Sequence, residues 1–312
     1  MIRVNGTREI VGRCCVVRDD MPPDTIFNDH LIRVKLHNGL DPEFARFFLS
    51  APNARRIIEE AASTSAGQLT INQQVLSNLE VPSVPLDEQR SIASNLNQQF
   101  SEVETARNAA LEQIREVAAL TDSIIFDSVN GATSPKRLGD VLVEVKHGIG
   151  ADWASQPVLG ATRDGLAPAK EPPGKQAPKY KPATPGTVFY NPMRILIGSI
   201  AYVDDDDDPG ITSPDYVVLR GMPGIVDSRW FYYWLRSPLG AHCILSLARG
   251  AVRERMLFNR LAEGEIALPS YAEQQRASAA LKELKPLKRA LESRLSEINR
   301  LPQKILAAAF EM

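Results

Sequence analysis

The chain has 312 residues, which is enough for two domains with cores of their own. Its 36 basic and 38 acidic residues give a net charge of -2, so a nucleic acid or an anionic membrane would have to be met by local basic patches. With 44% apolar and 24% charged residues, the composition excludes the disordered and collagen-like classes.

The sequence also predicts where the protein resides. It has neither a run of about 18 uncharged apolar residues nor an N-terminal apolar signal core, which predicts a cytoplasmic protein with no membrane partner. The cysteines Cys14, Cys15 and Cys243 have neither zinc-ligand nor disulfide spacing, which predicts reduced, mostly buried thiols.

An internal repeat organises the chain. The matching segments, at offsets of 185 to 187 residues, are Arg8–Gly12 with Arg194–Gly198, a strand Leu31–Leu36 with Tyr216–Leu219, an amphipathic helix Phe44–Ser50 with Phe231–Ser237, and the pair Glu88-Gln89 with Glu273-Gln274. Residues from about 137 to 189 have no counterpart before Met1, which predicts a first module that lacks roughly its opening 50 residues.

Long helices follow each Glu-Gln pair. Apolar residues recur there every seven positions, namely Leu96, Val103, Ala110, Val117 and Ile124 in the first copy and Leu284, Leu291, Ile298 and Ile305 in the second. Two stripes of this length predict an antiparallel coiled coil, with ordinary core helices of a larger bundle as the alternative. Pro286 and Pro302 predict a bend near Lys285 and a break or kink near Leu301.

The predicted fold class is α+β, with two strand-rich modules and two long antiparallel helices related by a pseudo-twofold repeat. The predicted division is a truncated first module at 1–86, a long helix at 87–130, a second module at 131–270 and a second long helix at 271–312.

The chain resembles the specificity subunits of type I restriction-modification systems. The resemblance is carried by Val81–Arg90 and Leu268–Arg276, each leading into a long helix, and by the module opening Lys136–Val141. It implies two target recognition domains, here with the first one truncated, that are held apart by the helical pair and that each read one half of a bipartite DNA sequence.

The resemblance also implies the partners and the absence of an active site. Double-stranded DNA, methyltransferase subunits and a restriction/translocase subunit would be the partners, and a homodimer stays open. S-adenosylmethionine, ATP and Mg²⁺ would be used by those partner subunits, so this chain itself would need no cofactor and no metal. The alternatives left open are a regulatory subunit that binds the methyltransferase without full site recognition and an unrelated coiled-coil scaffold.

Candidate DNA contacts are lysines, arginines and small polar residues in loops, because such side chains bind phosphates and read base edges. They are Lys146 and His147, then Lys170, Lys175, Lys179, Tyr180 and Lys181 in a proline-rich segment, then Arg249, Arg253 and Arg255, and in the first copy Ser63, Thr64 and Gln68. Solvated surface loops and helix caps are the alternative interpretation of these residues.

Enzymatic interpretations are disfavoured. The run Asp204–Asp208 is interpreted as an acidic tip between two strands that points away from DNA, because consecutive carboxylates do not converge easily on one Mg²⁺ ion. Pro214-Asp215 lacks the downstream partners of a nuclease, and no phosphate-binding loop for ATP is present. Glu88 and Glu273 are assigned to the first turns of the long helices.

Overall fold

The computed structural model describes residues 1–18, 20–22, 24–65, 67–132, 135–248 and 255–310. Contacts divide the chain into two compact units: unit 1 comprises Met1–Gln113 and Ala290–Met312, and unit 2 comprises Ile114–Arg289. The long helices α4 (Leu86–Val129) and α9 (Tyr271–Phe310) are therefore divided between the units, with one part of each helix in unit 1 and the other part in unit 2.

Unit 1 has short strands and three short helices ahead of α4. In chain order they are β1 (Ile2–Arg3), β2 (Asn5–Gly6), β3 (Leu31–Ile32), α1 (Pro42–Ser50), α2 (Pro52–Ala61), β4 (Ser63–Ser65), β5 (Gln68–Thr70) and α3 (Gln73–Ser77). β1 pairs antiparallel with β3, and β5 lies between β2 and β4. The predicted strand over 31–36 is thus a strand only at Leu31–Ile32.

The core of unit 1 fixes the direction of the long helices within it. Phe44 and Phe47 of α1 are 1% exposed and pack with Leu96 of α4 and Leu306 of α9. Leu96 lies near the start of α4 and Leu306 near the end of α9, so the two helices run antiparallel in this unit.

A glycine beside α2 gives the first testable prediction. Gly12 has φ +75°, and an added Cβ would lie 2.7 Å from Cγ2 of the fully buried Ile58. We expect Gly12→Ala to lower the free energy of unfolding by about 2 to 3 kcal/mol, from overpacking added to left-handed backbone strain. Chemical denaturation measures this loss.

The matched control is Gly67→Ala. Gly67 has φ +80° but no atom within 4 Å of an added Cβ, so the backbone cost stands alone at about 1 kcal/mol. Equal losses in the two variants would contradict the steric argument at Gly12.

Unit 2 is built around a four-stranded antiparallel sheet. Its elements are β6 (Pro135–Arg137), α5 (Leu138–Val141), β7 (Leu142–Glu144), β8 (Leu159–Thr162), β9 (Gly165–Pro168), β10 (Lys181–Ala183), β11 (Thr187–Tyr190), β12 (Ile200–Val203), β13 (Gly210–Thr212), β14 (Val217–Gly221), α6 (Ser228–Arg236), α7 (Pro238–Leu247), α8 (Phe258–Leu261) and β15 (Glu265–Ala267). The sheet order is β12-β11-β14-β7, and separate pairs are formed by β6 with β15, β8 with β9 and β10 with β13.

Both faces of this sheet are covered. One face packs against Trp230 and Phe231 of α6, with Ile125 of α4 and Leu281 of α9 in the same cluster. Trp230 is fully buried, and its indole Nε1–H donates to Ser128 Oγ of α4 at 2.8 Å. The opposite face is covered by small residues of β8 and β10. Ile125 lies near the end of α4 and Leu281 near the start of α9, so the helices are antiparallel in unit 2 as well.

The predicted apolar stripes lie on inward-facing positions. Leu96, Ala110, Val117, Leu291 and Ile298 are buried, whereas Val103, Ile124, Leu284 and Ile305 are half-buried. The helix α9 continues through both Pro286 and Pro302, so a break near Leu301 is wrong, whereas a bend near Lys285 and a kink near Leu301 stay predictions. Each proline removes one N–H donor from a 40-residue helix, and buried side chains on either side hold the backbone helical.

The two Glu-Gln pairs build the same junction in both units. Gln89 is 3% exposed; its carbonyl accepts from the Asp41 N–H at 2.8 Å, and its amide donates to the carbonyls of Gly39 and Val84. Asp41 is the N-cap of α1. The side chain of Gln89 thus fastens the first turn of α4 to the beginning of α1.

Unit 2 repeats these bonds with Gln274, which is fully buried. Its carbonyl accepts from the Asp227 N–H at 2.9 Å, and its amide donates to the carbonyls of Ile225 and Pro269. Asp227 is the N-cap of α6. The glutamine of each pair is therefore a structural residue, and the predicted place of Glu88 and Glu273 in the first helical turns is confirmed.

Candidate nucleic-acid interface

Three loops of unit 2 meet at one end of the four-stranded sheet. β7 ends at Glu144, directly opposite Leu219 of the antiparallel β14. The segment after β7 therefore lies beside the segment that precedes β14. Lys181, at the start of β10, joins them because its Nζ donates to the Tyr216 carbonyl at 2.6 Å.

Backbone contacts bring the segment after β7 against the proline-rich segment. The Ile149 N–H donates to the Tyr180 carbonyl at 2.7 Å, and a Cβ on Gly148 would lie 2.5 Å from the Pro178 carbonyl oxygen, so only glycine fits there. The Tyr180 hydroxyl accepts from the Gly174 N–H at 3.1 Å. Candidates that are up to 35 residues apart in sequence thus share one surface.

This surface is called the basic face. Its members are Lys146, His147, Lys175, Lys179, Tyr180, Lys181 and Arg255. Arg255 belongs to it through an ion pair with Asp215, one residue before Tyr216, at 3.4 Å.

The cations of the basic face differ in their availability. Lys175 and Lys179 are exposed, and Lys146 is 78% exposed with an ion pair to Glu144 at 3.3 Å. Lys181 is half-buried, and this burial lowers its pKa, with the charge of Lys146 acting in the same direction and those of Glu144 and Asp215 opposing it. Lys175 and Lys179 are thus the lysines that can bind phosphates without breaking an ion pair.

Other sequence candidates lie apart from the basic face. Lys170 is exposed just after β9, and no contact given for the described residues joins it to the face. Arg249 and Arg253 lie outside the described residues. In unit 1, Ser63 and Thr64 of β4 and Gln68 of β5 form one hairpin, in which Ser63 Oγ donates to the Thr70 carbonyl at 3.3 Å.

Sequence reasoning did not select Arg194 as a candidate. The Met256 N–H donates to the Pro192 carbonyl at 3.0 Å, which places the exposed Arg194 in the loop beside Arg255. The internal repeat is the sequence signal that could have selected Arg194, because this residue aligns with Arg8 at an offset of 186. In this loop the backbone also turns at Gly198, whose φ of +84° matches that of its counterpart Gly12.

A buried hydroxyl lies at the same end of the sheet. Tyr190, the last residue of β11, is fully buried, and no described residue hydrogen-bonds to its hydroxyl. Burial raises the pKa of Tyr190 far above its ordinary value, and the nearby Glu144 raises it further. The phenol is therefore neutral and acts as a packing residue of the core.

The acidic run requires a correction. Asp204–Asp208 does connect β12 to β13, as expected, but it is not a free acidic tip. Asp204 is 3% exposed and is bound by Arg229 of α6, while Lys285 of α9 contacts Asp204 at 3.2 Å, Asp206 at 2.6 Å and Asp207 at 3.2 Å. Cations 24 to 82 residues away in sequence neutralise the run, which local composition does not reveal.

Among the described residues, no group of three or more histidine, cysteine or carboxylate side chains is arranged to hold a metal ion. The three cysteines are free, and Cys15 is exposed, in contrast to the expectation of mostly buried thiols. No helix among the described residues is long and apolar enough to cross a membrane.

A basic face at the end of a sheet, on a unit anchored to long antiparallel helices, is typical of a nucleic-acid-binding module on a helical support. Residues 16–113 match the type I restriction modification DNA specificity domain. Over this part, the chain is similar to the specificity subunits of type I restriction-modification systems.

Two curated relatives carry the sequence similarity. The type I restriction enzyme EcoKI specificity subunit of Escherichia coli (strain K12) is 29% identical over 129 residues, and the StySPI specificity subunit of Salmonella potsdam is 31% identical over 132 residues. These matches cover 41% and 42% of this chain, and they span 28% of the length of each relative.

Two solved structures share the fold. A structure from a study of complex assembly and conformational transition of the type I R-M system has a TM-score of 0.59 at 20% identity, over 87% of this chain and 71% of the other. The type I restriction-modification S subunit of M. genitalium has a TM-score of 0.51 at 18% identity, and the match covers 87% of this chain and 73% of the other. These likenesses confirm the predicted α+β fold class with its long helices.

Proposed function

We propose that this chain is a non-catalytic, sequence-specific DNA-binding specificity subunit of a type I restriction-modification complex. It directs partner methyltransferase and restriction subunits to a bipartite target, and those partners use S-adenosylmethionine, ATP and Mg²⁺. The observation that carries the proposal is the basic face, where cations from separate loops converge on one end of a sheet.

The proposal assigns roles along the chain. Residues 1–86 and 131–270 are the recognition modules, and 87–130 and 271–312 are the helical supports and methyltransferase docks. In the second module the exposed lysines of the basic face bind phosphates, and Arg255, together with Arg194, reaches base edges, because a guanidinium can bind guanine with two hydrogen bonds. In the first module, the hairpin with Ser63, Thr64 and Gln68 contacts DNA.

Charge removal on the basic face tests the proposal. We expect Lys175→Gln/Lys179→Gln to weaken duplex binding and to reduce the slope of log K against log salt by about 1.8, since each phosphate contact contributes about 0.9. Fluorescence anisotropy of the full chain on a random-sequence duplex, over a salt series, measures both. Within the part of the chain that the structure describes, neither lysine side chain makes a hydrogen bond or an ion pair, so the fold should be retained.

Arg300→Gln/Lys304→Gln is the matched control, because it removes the same charge from exposed positions on α9. An unchanged salt slope in the lysine variant, or an equal reduction in the control, would argue against the basic face as the DNA surface. Selection of bound sequences from a random duplex pool then tests specificity, and Arg194→Gln and Arg255→Gln are expected to relax it.

A second candidate function is a regulatory subunit that binds the methyltransferase without full site recognition. One observation favours it: Val17, Ile26 and Phe27 of unit 1 are exposed apolar side chains, which favour contact with protein over contact with DNA. Stable co-purification with a methyltransferase, in the absence of salt-sensitive DNA binding, would select this second function.

A further inference from the structure

A cavity of about 490 Å³ lies in unit 2 beside the loop that joins β11 to β12. This loop, the end of α6 and one face of α7 form its walls. The lining is mostly aliphatic and includes Ile195, Ile197, Ile200, Leu235, Ile244 and Leu245. Ile197 and Leu245 are 65% and 60% exposed, so part of this apolar surface is in contact with solvent. The volume and the apolar lining are typical of a small-molecule site.

Unit 1 contains the counterparts of the elements that form this cavity. The helices α6 and α7 begin 186 residues after α1 and α2, and in both pairs an aspartate caps the first helix and a proline stands in the first turn of the second. The same offset relates Gly12 to Gly198, and both have positive φ angles. Gly12 contacts Ile58 of α2, while Gly198 shares the cavity lining with Ile244, the counterpart of Ile58. The two places can therefore be compared residue by residue.

In unit 1 an ion pair occupies the corresponding place. Arg55 of α2 donates to the Val11 carbonyl and forms an ion pair with Glu59 at 3.1 Å. A Cβ added at Gly12 would lie 2.8 Å from Nη1 of Arg55, so the guanidinium fills the space over this glycine. The side chains of Arg55 and Glu59 are only 16% and 24% exposed. Unit 1 thus closes the place with its own side chains.

Unit 2 has replaced both members of this ion pair. At the offset of 186 residues, Ala241 stands in the place of Arg55 and Leu245 in the place of Glu59. The nearest atom of the described residues to a Cβ added at Gly198 is Cγ of Arg163, at 3.8 Å. The short Ala241 side chain therefore leaves the space that a guanidinium fills in unit 1, and Leu245 makes its wall apolar.

Two arginines supply the charge at the cavity. Arg236 donates to the carbonyls of Gly198 and Ile200 at 3.1 and 3.0 Å and to the Arg163 carbonyl at 2.6 Å, so its guanidinium is engaged by the backbone. Arg163 is exposed, and within the described part of the chain it takes part in no ion pair. The described lining contains no carboxylate. The Arg163 guanidinium can therefore bind an anionic group, and a carboxylate matches its geometry with two hydrogen bonds.

We propose that this cavity binds a small carboxylate with an apolar body. The apolar body packs against Ile244 and Leu245 of α7, and the carboxylate binds the guanidinium of Arg163. Burial of the apolar body supplies most of the affinity, and the arginine supplies the preference for an anion. The inference is independent of the proposed DNA binding, because no residue of the described lining belongs to the basic face.

Titration calorimetry of the full chain with octanoate tests the inference. We expect saturable binding at one octanoate per chain, and each methylene added from butanoate to octanoate should tighten binding by up to about fourfold. Octan-1-ol has the same length without the charge, so it should bind about tenfold more weakly than octanoate. Arg163→Gln should remove this difference between the two probes.

A second variant carries the ion pair of unit 1 into unit 2. Ala241→Arg/Leu245→Glu should abolish octanoate binding, because the guanidinium would then fill the cavity as Arg55 fills its counterpart. Both positions are exposed on α7, so the fold should be retained, and circular dichroism checks this. His242→Arg/Ser246→Glu is the matched control: it places the same pair on exposed positions of α7 outside the cavity lining and should bind octanoate like the wild type.

Three results would overturn the inference. The first is the absence of saturable octanoate binding by the wild-type chain. The second is undiminished binding by the folded Ala241→Arg/Leu245→Glu variant, since the probe would then bind elsewhere. The third is binding of octan-1-ol as tight as that of octanoate, since the arginine would then play no part. Loss of DNA binding in the basic-face variants changes none of these readouts, so the two proposals fail separately.

Discussion

Asp204→Ala should lower the free energy of unfolding of unit 2 by about 3 to 5 kcal/mol, because it removes the one buried anion between two partly buried cations. Arg229 and Lys285 have side chains only 12% and 17% exposed, and both bind the Asp204 carboxylate. Without it, Arg229 keeps the exposed Asp205 as its anion, together with a hydrogen bond to Ser278 Oγ at 3.4 Å, and Lys285 keeps Asp206 and Asp207. Urea denaturation followed by tryptophan fluorescence measures the loss.

The control lies in the same loop. Asp208 is exposed and takes part in none of the ion pairs given for the described residues, so Asp208→Ala should change stability by less than about 0.5 kcal/mol. Similar losses in the two variants would mean that the sequence of the loop, and not the buried pairing, sets the stability.

The contribution of Asp204 depends on pH. Burial alone would raise its pKa, but the hydrogen bonds from Arg229 and from the Asp205 N–H, together with the charges of Arg229 and Lys285, hold it below the ordinary 3.8. A depressed pKa in the folded state means that the stabilisation is present above pH 3.8 and is lost as the pH falls through the folded value. The difference between wild type and Asp204→Ala should therefore shrink below about pH 4.

Gln274→Ala should cost about 3 kcal/mol, because one fully buried side chain makes three hydrogen bonds to backbone groups that are left without it. The groups left behind are the Asp227 N–H and the carbonyls of Ile225 and Pro269. We expect a lower midpoint of chemical denaturation for unit 2, and Gln89→Ala should have a similar effect on unit 1, where the bonds are equivalent.

Two further variants sharpen this test. Gln275→Ala changes the exposed neighbour and should be close to neutral. Gln274→Glu keeps an acceptor for the Asp227 N–H but places a carboxylate against two carbonyls, so it should be at least as damaging as alanine. A neutral Gln274→Glu variant would contradict the hydrogen-bond assignment.

Periodicity and the repeat predicted the long helices well. The seven-residue spacing and the Glu-Gln pairs place the first helix at 87–130, and the structure has it at Leu86–Val129. The low helix propensity of proline allowed a break in α9 that the structure does not have, because propensity does not report the packing on either side of Pro302. The predicted strand at Leu31–Leu36 was too long, because a strand needs a partner and only Leu31–Ile32 has one.

The sequence predicted most of the residues of the basic face, but it did not predict that they lie together. Counting lysines selected Lys175 and Lys179, but their proximity to Lys146 follows from the contact of Ile149 with Tyr180, which no local pattern encodes. Asp204 was misjudged for the same reason, because Lys285 is 81 residues away. The repeat could have predicted the structural roles of Gln89 and Gln274, because Gln89 lies 48 residues after the N-cap Asp41 and Gln274 lies 47 residues after the N-cap Asp227.

The burial of Trp230 against Ser128 has a spectroscopic consequence. All three tryptophans of the chain, Trp153, Trp230 and Trp234, belong to unit 2, so indole emission reports on that unit alone. Far-ultraviolet circular dichroism follows the helices of both units. Different midpoints from the two signals would therefore reveal two cooperative blocks in one chain, and coincident midpoints would reveal that α4 and α9 transmit unfolding along their whole length.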